Sequence, residues 1–274
     1  MPSSLRTKVA VVQMNSGPDL GANLAAVDRL VKAAAADGAR LIVLPECFAL
    51  LGPEDAKLAI AESLPDGGPV LARCAALARE TGAELVLGGF WEKGSDAQHV
   101  RNSCVHLGTD GGVRAVYRKV HLFDVDLPDG TKLTESESVE PGTELVVTDT
   151  EFGRLGLSVC YDLRFPELYR GLVDRGAIAL AIPAAFTMTT GKDHWHVLLR
   201  ARAIESQAYV LAAAQTGRHF GSRVSYGHAL IADPWGTVLA ECGEGEGYAA
   251  AWLDPEVVAR VRASLPSLAH RRLG

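Results

Sequence analysis

The chain has 274 residues, 48% apolar and 22% charged, the profile of a soluble globular protein with one sizeable core. Its formal net charge is −6, with acids and bases interspersed and no basic block, which argues against nucleic acid or an anionic membrane as partner. The opening "MPSSLRTKVAVVQM" lacks the apolar stretch of a signal peptide and no run approaches a membrane span, so the expected compartment is the cytoplasm.

The first segment alternates strand and helix. "KVAVVQM" (8–14) is a β-branched apolar run, and "NLAAVDRLVKAAAADGA" (23–39) places Leu24, Val27, Leu30 and Val31 at helical spacing. "RLIVLPE" (40–46) is apolar enough for a strand buried on both faces. A helix over 69–83 then leads into the strand "ELVLGGF" (84–90). Two alternating runs within 102–120 are joined by Asp110-Gly111-Gly112, a hairpin signal, and the polar stretch 124–143 reads as a long functional loop.

The opening pattern then returns. "RLGLSVC" reads as a strand, "PELYRGLVDRGA" as a helix with Pro166 in its first turn, and "IALAIPAAF" as a strand. The helix "HWHVLLRARAIESQA", the strand "YVLAAAQ", the hairpin "YGHALIADPWGTVLAEC" and the strand "GYAAAWLD" follow. The halves 8–46 and 154–186 look like one strand–helix–strand motif used twice, and no linker divides the chain, so residues 1–274 read as a single domain. Two stacked mixed sheets covered by helices, a four-layer αββα sandwich, use these elements economically; a single doubly wound sheet is the alternative on pattern alone.

The five cysteines (Cys47, Cys74, Cys104, Cys160 and Cys242) form no CxxC pair, which favours reduced thiols over a disulfide framework. The eight histidines, with "HWH" at 194–196, show no zinc pattern, so neither a metal nor another cofactor is expected.

Three places can carry chemistry. In "LIVLPECF", Pro45 stops a buried strand and leaves Glu46 at its tip, where it is either a general base or a structural ion-pair partner. In "VYRKVHLFD", Arg118 and Lys119 are adjacent on a predicted strand and so face opposite ways; the inward one can stabilise an oxyanion, or both are solvated. In "GLSVCYDLRFPELYR", Cys160 either fills core volume or stands on a strand-to-helix elbow, where α/β proteins collect their sites. Together these residue types make a base, a cation and a nucleophile, a set suited to acyl transfer.

On "LIVLPECF", "YRKVHLFDVDLPDG" and "GLSVCYDLRFPELYR", the chain resembles the nitrilase superfamily of carbon–nitrogen hydrolases over about residues 7 to 273. The resemblance implies the αββα sandwich, usually in a homodimer, with Glu46 as general base, Lys119 as oxyanion stabiliser and Cys160 as nucleophile. It also implies a second glutamate after the lysine, for which "TESESVEPG" offers Glu135, preferred by its spacing to Pro141-Gly142, and Glu137.

Tyr161 stands where nitrile-hydrolysing relatives tend to carry Trp, and "CYDLRFPEL", "HWHVLLRARAIESQAYVLAAAQTGRH" and "SYGHALIADPWGTV" look most like the branch of small amidases acting on deaminated glutathione. The implied reaction gives 2-oxoglutarate and cysteinylglycine; the alternatives are omega-amidase chemistry on 2-oxoglutaramate or 2-oxosuccinamate, another small aliphatic amide, or a silent scaffold. The amide carbon would pass through a thioester on Cys160, with the oxyanion held by Lys119 and the backbone N–H of Tyr161. Glutamate can serve as base only with a raised pKa, which an apolar pocket would supply against Lys119. Arg164, Arg218 and Arg223 and the hydroxyls of Thr187 and Thr189 are the candidate substrate contacts, while His121 and His194 read as wall or packing residues.

Overall fold

A computed structural model describes residues 6–126 and 132–273. Leu127–Gly130 of the lysine motif and the first residues of the amino-terminal segment lie outside the described residues. The chain opens with strand β1 (Thr7–Met14), helix α1 (Leu20–Ala36), β2 (Leu41–Val43), α2 (Glu54–Ile60) and α3 (Pro69–Thr81). Strands β3 (Glu84–Lys93), β4 (Val100–Leu107) and β5 (Val113–Arg118) extend the same sheet, and β6 (Asp124–Asp126) with β7 (Lys132–Thr134) forms a separate ribbon. The second sheet begins with β8 (Val147–Thr150) and β9 (Gly153–Leu157), followed by α4 (Pro166–Asp174), β10 (Ala179–Ala181), α5 (Met188–Ser206) and β11 (Tyr209–Ala212). β12 (Ala214–Arg218) and β13 (Val224–Tyr226) return to the first sheet, β14 (Leu230–Ala232) and β15 (Val238–Glu241) to the second, and β16 (Gly247–Leu253) pairs with β1 before α6 (Pro255–Ser264).

Each sheet is mixed. β1 runs parallel to β2, with Val9 opposite Leu41, and β9 runs parallel to β10, with Leu155 opposite Ala179. These are the two strand–helix–strand units legible in the sequence, each crossed by one helix.

The layering follows from strand alternation. Val9, Val11, Leu41, Val43 and Val86 pack into the cluster shared with Leu155 and Leu157 of the second sheet. Their neighbours Ala10, Val12, Ile42, Leu44 and Leu87 face the opposite way, onto Val27, Leu30 and Val31 of α1 and Leu77 of α3. Both faces of the central strands are therefore dry, and the αββα order follows; the single doubly wound sheet is excluded.

Several boundaries differ from the sequence expectation, each for a physical reason. "YVLAAAQ" is two strands in two sheets, switching at Ala213, because its uniformly apolar run carries no mark of the crossing. α5 starts at Met188, six residues ahead of the expected start, although Thr189, Thr190 and Gly191 are poor helix formers. Packing decides there: a Cβ on Gly191 would meet Tyr226 at 2.3 Å, so the helix lies directly on that ring. The expected loop 124–143 holds the β6–β7 ribbon and a 3₁₀ turn over Glu135–Glu137. Helices α2 and α6 and strand β8 were not expected; α6 is started by Asp254, whose side chain accepts the Glu256 N–H at 2.9 Å.

Candidate active site

Glu46 follows β2 by three residues. Cys47 beside it adopts left-handed backbone (φ 58°), and Gly89 of β3 passes directly underneath, also left-handed. A Cβ on Gly89 would come within 2.5 Å of Cys47 N and 2.7 Å of Glu46 Cγ, so only glycine lets the strand come this close. The Glu46 carboxylate is buried: Oε2 accepts the Ala185 N–H at 3.0 Å, and Oε1 accepts from Asn102 Nδ2 at 2.9 Å and Lys119 Nζ at 3.1 Å.

Lys119 stands one residue past β5. Its N–H donates to Asn102 O at 2.9 Å and its carbonyl accepts the Gly142 N–H at 2.8 Å, which fixes the backbone on both sides. Arg118 turns the other way, to Glu92 at 2.6 Å, as the strand alternation predicts. Lys119 Nζ reaches Glu135 Oε2 at 2.8 Å, and that oxygen also accepts the Phe123 N–H at 2.7 Å. Glu135 rather than Glu137 thus reaches the lysine; Glu137 is exposed at the cavity rim.

Cys160 marks the elbow. β9 ends at Leu157, Cys160 N–H donates to Pro183 O at 2.9 Å, and the residue takes φ 47° before a 3₁₀ turn over Cys160–Arg164. A left-handed cysteine costs on the order of 1–3 kcal/mol and needs surroundings that enforce it. Asp162 supplies them. Fully buried, it accepts the Val159 N–H at 2.8 Å and the Tyr117 hydroxyl at 2.7 Å, and its other oxygen meets His121 Nδ1 at 2.8 Å. Tyr117 lies two residues before Lys119, so one carboxylate ties the cysteine elbow to the lysine segment. His121 stacks on Phe165 with centroids 3.6 Å apart, the packing role expected of it.

The ionisation states follow from these contacts. Burial alone raises the Glu46 pKa, but the Lys119 charge and hydrogen bonding with Cys160, Asn102 and Lys119 outweigh it and hold the carboxyl below its usual value. The raised pKa expected from an apolar pocket is therefore corrected: the pocket is dry, but it is lined with donors. Burial also works against the Lys119 ammonium, yet Glu135 and Glu46 together push its pKa well above the ordinary value. For Cys160, burial and then the Glu46 charge raise the thiol, with Lys119 only partly opposing. The resting site is a neutral thiol beside a carboxylate and an ammonium.

A cavity of about 560 Å³ opens on Glu46, Lys119, Glu135 and Cys160, within the range of small-molecule sites. A narrow cleft meets it at Phe123, Cys160 and Ala185 and is lined by Tyr161, Arg164, Thr187 and Thr190. Arg164 lies over the Phe186 ring at 5.1 Å and donates from Nη1 to exposed His194 Nδ1 at 3.2 Å. Thr189 lines neither space; Thr190 holds the place expected of it, its hydroxyl 3.0 Å from that of Thr187. Arg218 is exposed and donates to Gly221 O, away from both, whereas Arg223 lines the main cavity. Asn102 and the Ala185 N–H were missed in the sequence, since a lone Asn in a strand and a backbone group leave no local signal. Among the described residues, His196, His228 and Glu241 and, separately, Asp96, His99 and Glu140 could group around a metal, but none of them lines either space.

Residues 8–263 match the family model described as carbon-nitrogen hydrolase. The chain belongs to the carbon–nitrogen hydrolase family. As a family member it is a hydrolase of carbon–nitrogen bonds, on the nitrilase-superfamily fold expected from its three motifs. It is 47% identical over 268 residues to human deaminated glutathione amidase, covering 96% of this chain and 82% of that protein. It is 45% identical to deaminated glutathione amidase of Synechocystis sp., covering 96% of this chain and 97% of that one. Among solved structures, the NitFhit protein of C. elegans superposes with a TM-score of 0.92 at 42% identity; this chain is 98% covered and spans 66% of that protein. Saccharomyces cerevisiae Nit3, described as a member of branch 10 of the nitrilase superfamily, gives 0.86 at 33% identity, with 98% and 97% covered. No helix among the described residues is long and apolar enough to cross a membrane.

Proposed function

We propose that this chain is a thiol amidase that cleaves deaminated glutathione to 2-oxoglutarate and cysteinylglycine. The observation that carries the reading is the junction at Cys160, where a cavity holding Glu46, Lys119 and Glu135 meets a cleft holding Arg164, Thr187 and Thr190. A substrate with its amide at this junction sets its larger side in the main cavity and turns its other side toward Arg164, where the cleft, at about 10 Å³, must widen to admit it. The names of the human and Synechocystis relatives agree with it.

In this reading Cys160 Sγ attacks the amide carbon while Glu46 takes the thiol proton. A raised thiol and a lowered carboxyl make prior proton transfer unfavourable, so transfer accompanies attack. The carbonyl electrons move to an oxyanion held by Lys119 and the Tyr161 N–H, and loss of one such donor costs about 10²–10³ in rate. Collapse breaks the C–N bond, and the departing amine takes its proton from Glu46. Glu46 then deprotonates the water that attacks the thioester, and Cys160 leaves as the thiol. Glu135 keeps Lys119 charged and in position. The acyl-side carboxylate pairs with Arg164 and the hydroxyls of Thr187 and Thr190.

Unsubstituted 2-oxoglutaramate would leave the main cavity unfilled, which favours the longer amide. The test is kcat/KM on both compounds with one preparation. The reading requires deaminated glutathione to be the better substrate; preference for 2-oxoglutaramate would make the chain an omega-amidase. We further propose a cytoplasmic homodimer without nucleic-acid or membrane partners. The exposed apolar side chains Val197 and Ile204 of α5, with exposed Trp235 in the turn whose Gly236 packs on Ile204, support the dimer, and sedimentation equilibrium tests it.

A further inference from the structure

Glu46 opens into the main cavity and does not line the narrow cleft. Because the departing nitrogen must reach Glu46 for its proton, the amine side of the scissile bond lies in the main cavity. The pole of that cavity at Cys160 carries two carboxylates, Glu46 and Glu135, against one ammonium, Lys119. Away from that pole the charged lining is Lys57, buried with its ammonium 5.3 Å from the centroid of Trp91, exposed Lys132 and Arg223, three cations against the exposed Glu137 at the rim. Arg223 carries an unsatisfied hydrogen-bond donor. Its Nε is buried yet meets no hydrogen-bond acceptor among the described residues, and its charge is felt at the thiol of Cys47 on the same wall. A buried guanidinium nitrogen without an acceptor is costly, and an anion entering the cavity would satisfy it.

We propose that Arg223, with Lys57 beside Trp91, forms a carboxylate-binding subsite for the amine-side product, so that the enzyme selects amides whose leaving amine carries an acid at its far end. This rests on the functional reading above for the direction in which the substrate lies. The subsite makes the leaving group, and not only the acyl group, a determinant of specificity. Glycine's carboxylate at the end of a cysteinylglycine leaving group is of this class.

The test uses the Cys160→Ala protein, which binds without turnover, titrated calorimetrically with deaminated glutathione and with the same compound bearing a carboxamide in place of its glycine carboxylate. The carboxylate form should bind about tenfold or more tightly, the scale of a charge-assisted contact. Adding Arg223→Gln should abolish that preference, and Lys57→Gln should reduce it; thermal melts of each variant report folding. Equal affinity of the two forms, a preference that survives Arg223→Gln, or no binding of either would overturn the proposal. Turnover of deaminated glutathione by the unmodified chain is measured alongside. Its failure with the preference intact would defeat the functional reading alone, and loss of the preference with turnover intact would defeat the subsite alone.

Discussion

The Glu46 carboxylate accepts the backbone N–H of Ala185 at 3.0 Å, joining residues 139 apart in the chain. Glu46 follows β2 of the first sheet and Ala185 follows β10 of the second, so the contact spans the two sheets at the end where Cys160 also emerges. One oxygen of the base is thereby fixed by backbone, and the other is left to Asn102 and Lys119.

That arrangement predicts the outcome of Glu46→Gln. The amide keeps an acceptor for Ala185, and Lys119 keeps Glu135, so the fold should persist with a melting temperature within a few degrees. Without a base, kcat/KM should fall by about 10³ or more. A circular-dichroism melt and a steady-state assay on one preparation check both halves.

Asn102 donates to Glu46 at 2.9 Å and to Glu135 at 3.1 Å, and its hydrogen bond helps to hold the Glu46 carboxyl below its usual pKa. Asn102→Ala should cost about 10–100-fold in kcat/KM. Removing a donor raises the Glu46 pKa, so the acid limb of the pH–rate profile should move to higher pH. In the unmodified chain that limb should lie below the usual glutamate range, because the base form of a lowered carboxyl survives further into acid.

Gly89→Ala places a methyl group against Cys47 N and Glu46 Cγ on left-handed backbone. Both the strain and the displaced carboxylate act on the site. Activity should fall at least tenfold, with a stability loss of about 1–3 kcal/mol measured by urea denaturation.

His219 is held neutral. Its Nδ1–H donates to Ser16 O at 2.7 Å, and burial, reinforced by Arg223, lowers its pKa from 6.5 to about 4. The folded pKa lies below the unfolded one, so the unfolded chain takes up the proton first as pH falls. Stability should therefore decline from about pH 6.5 to about pH 4, by roughly 3 kcal/mol for this group. Denaturant midpoints across that window, compared with His219→Gln, should show a shallower decline in the variant.

The two strand–helix–strand units, the hairpin turn at Asp110-Gly111-Gly112 and the elbow at Cys160 are legible because apolar period and turn residues mark them locally. Lys119 and Arg118 were assigned opposite faces by alternation alone, and the structure agrees. The rest depends on contacts between distant segments. Asp162 stands in plain view beside the cysteine, but its partners Tyr117, in β5 of the first sheet, and His121, in the segment after it, lie more than forty residues away in the chain. The Glu46 pKa was misjudged in direction because burial is a local inference, whereas the donors that reverse it arrive from β4, the segment after β5 and the elbow. The change of sheet at Ala213 was invisible because alanine is apolar in either one.

In this mechanism Cys160 carries the acyl group between the two half-reactions. Acid-quenching the chain during turnover of deaminated glutathione, followed by peptide mass spectrometry, tests it most directly. A 2-oxoglutaryl adduct is expected on the peptide containing Cys160, with none on the buried Cys74 or Cys104 and no turnover by Cys160→Ala. An unmodified Cys160 during turnover, or activity retained by Cys160→Ala, would contradict it.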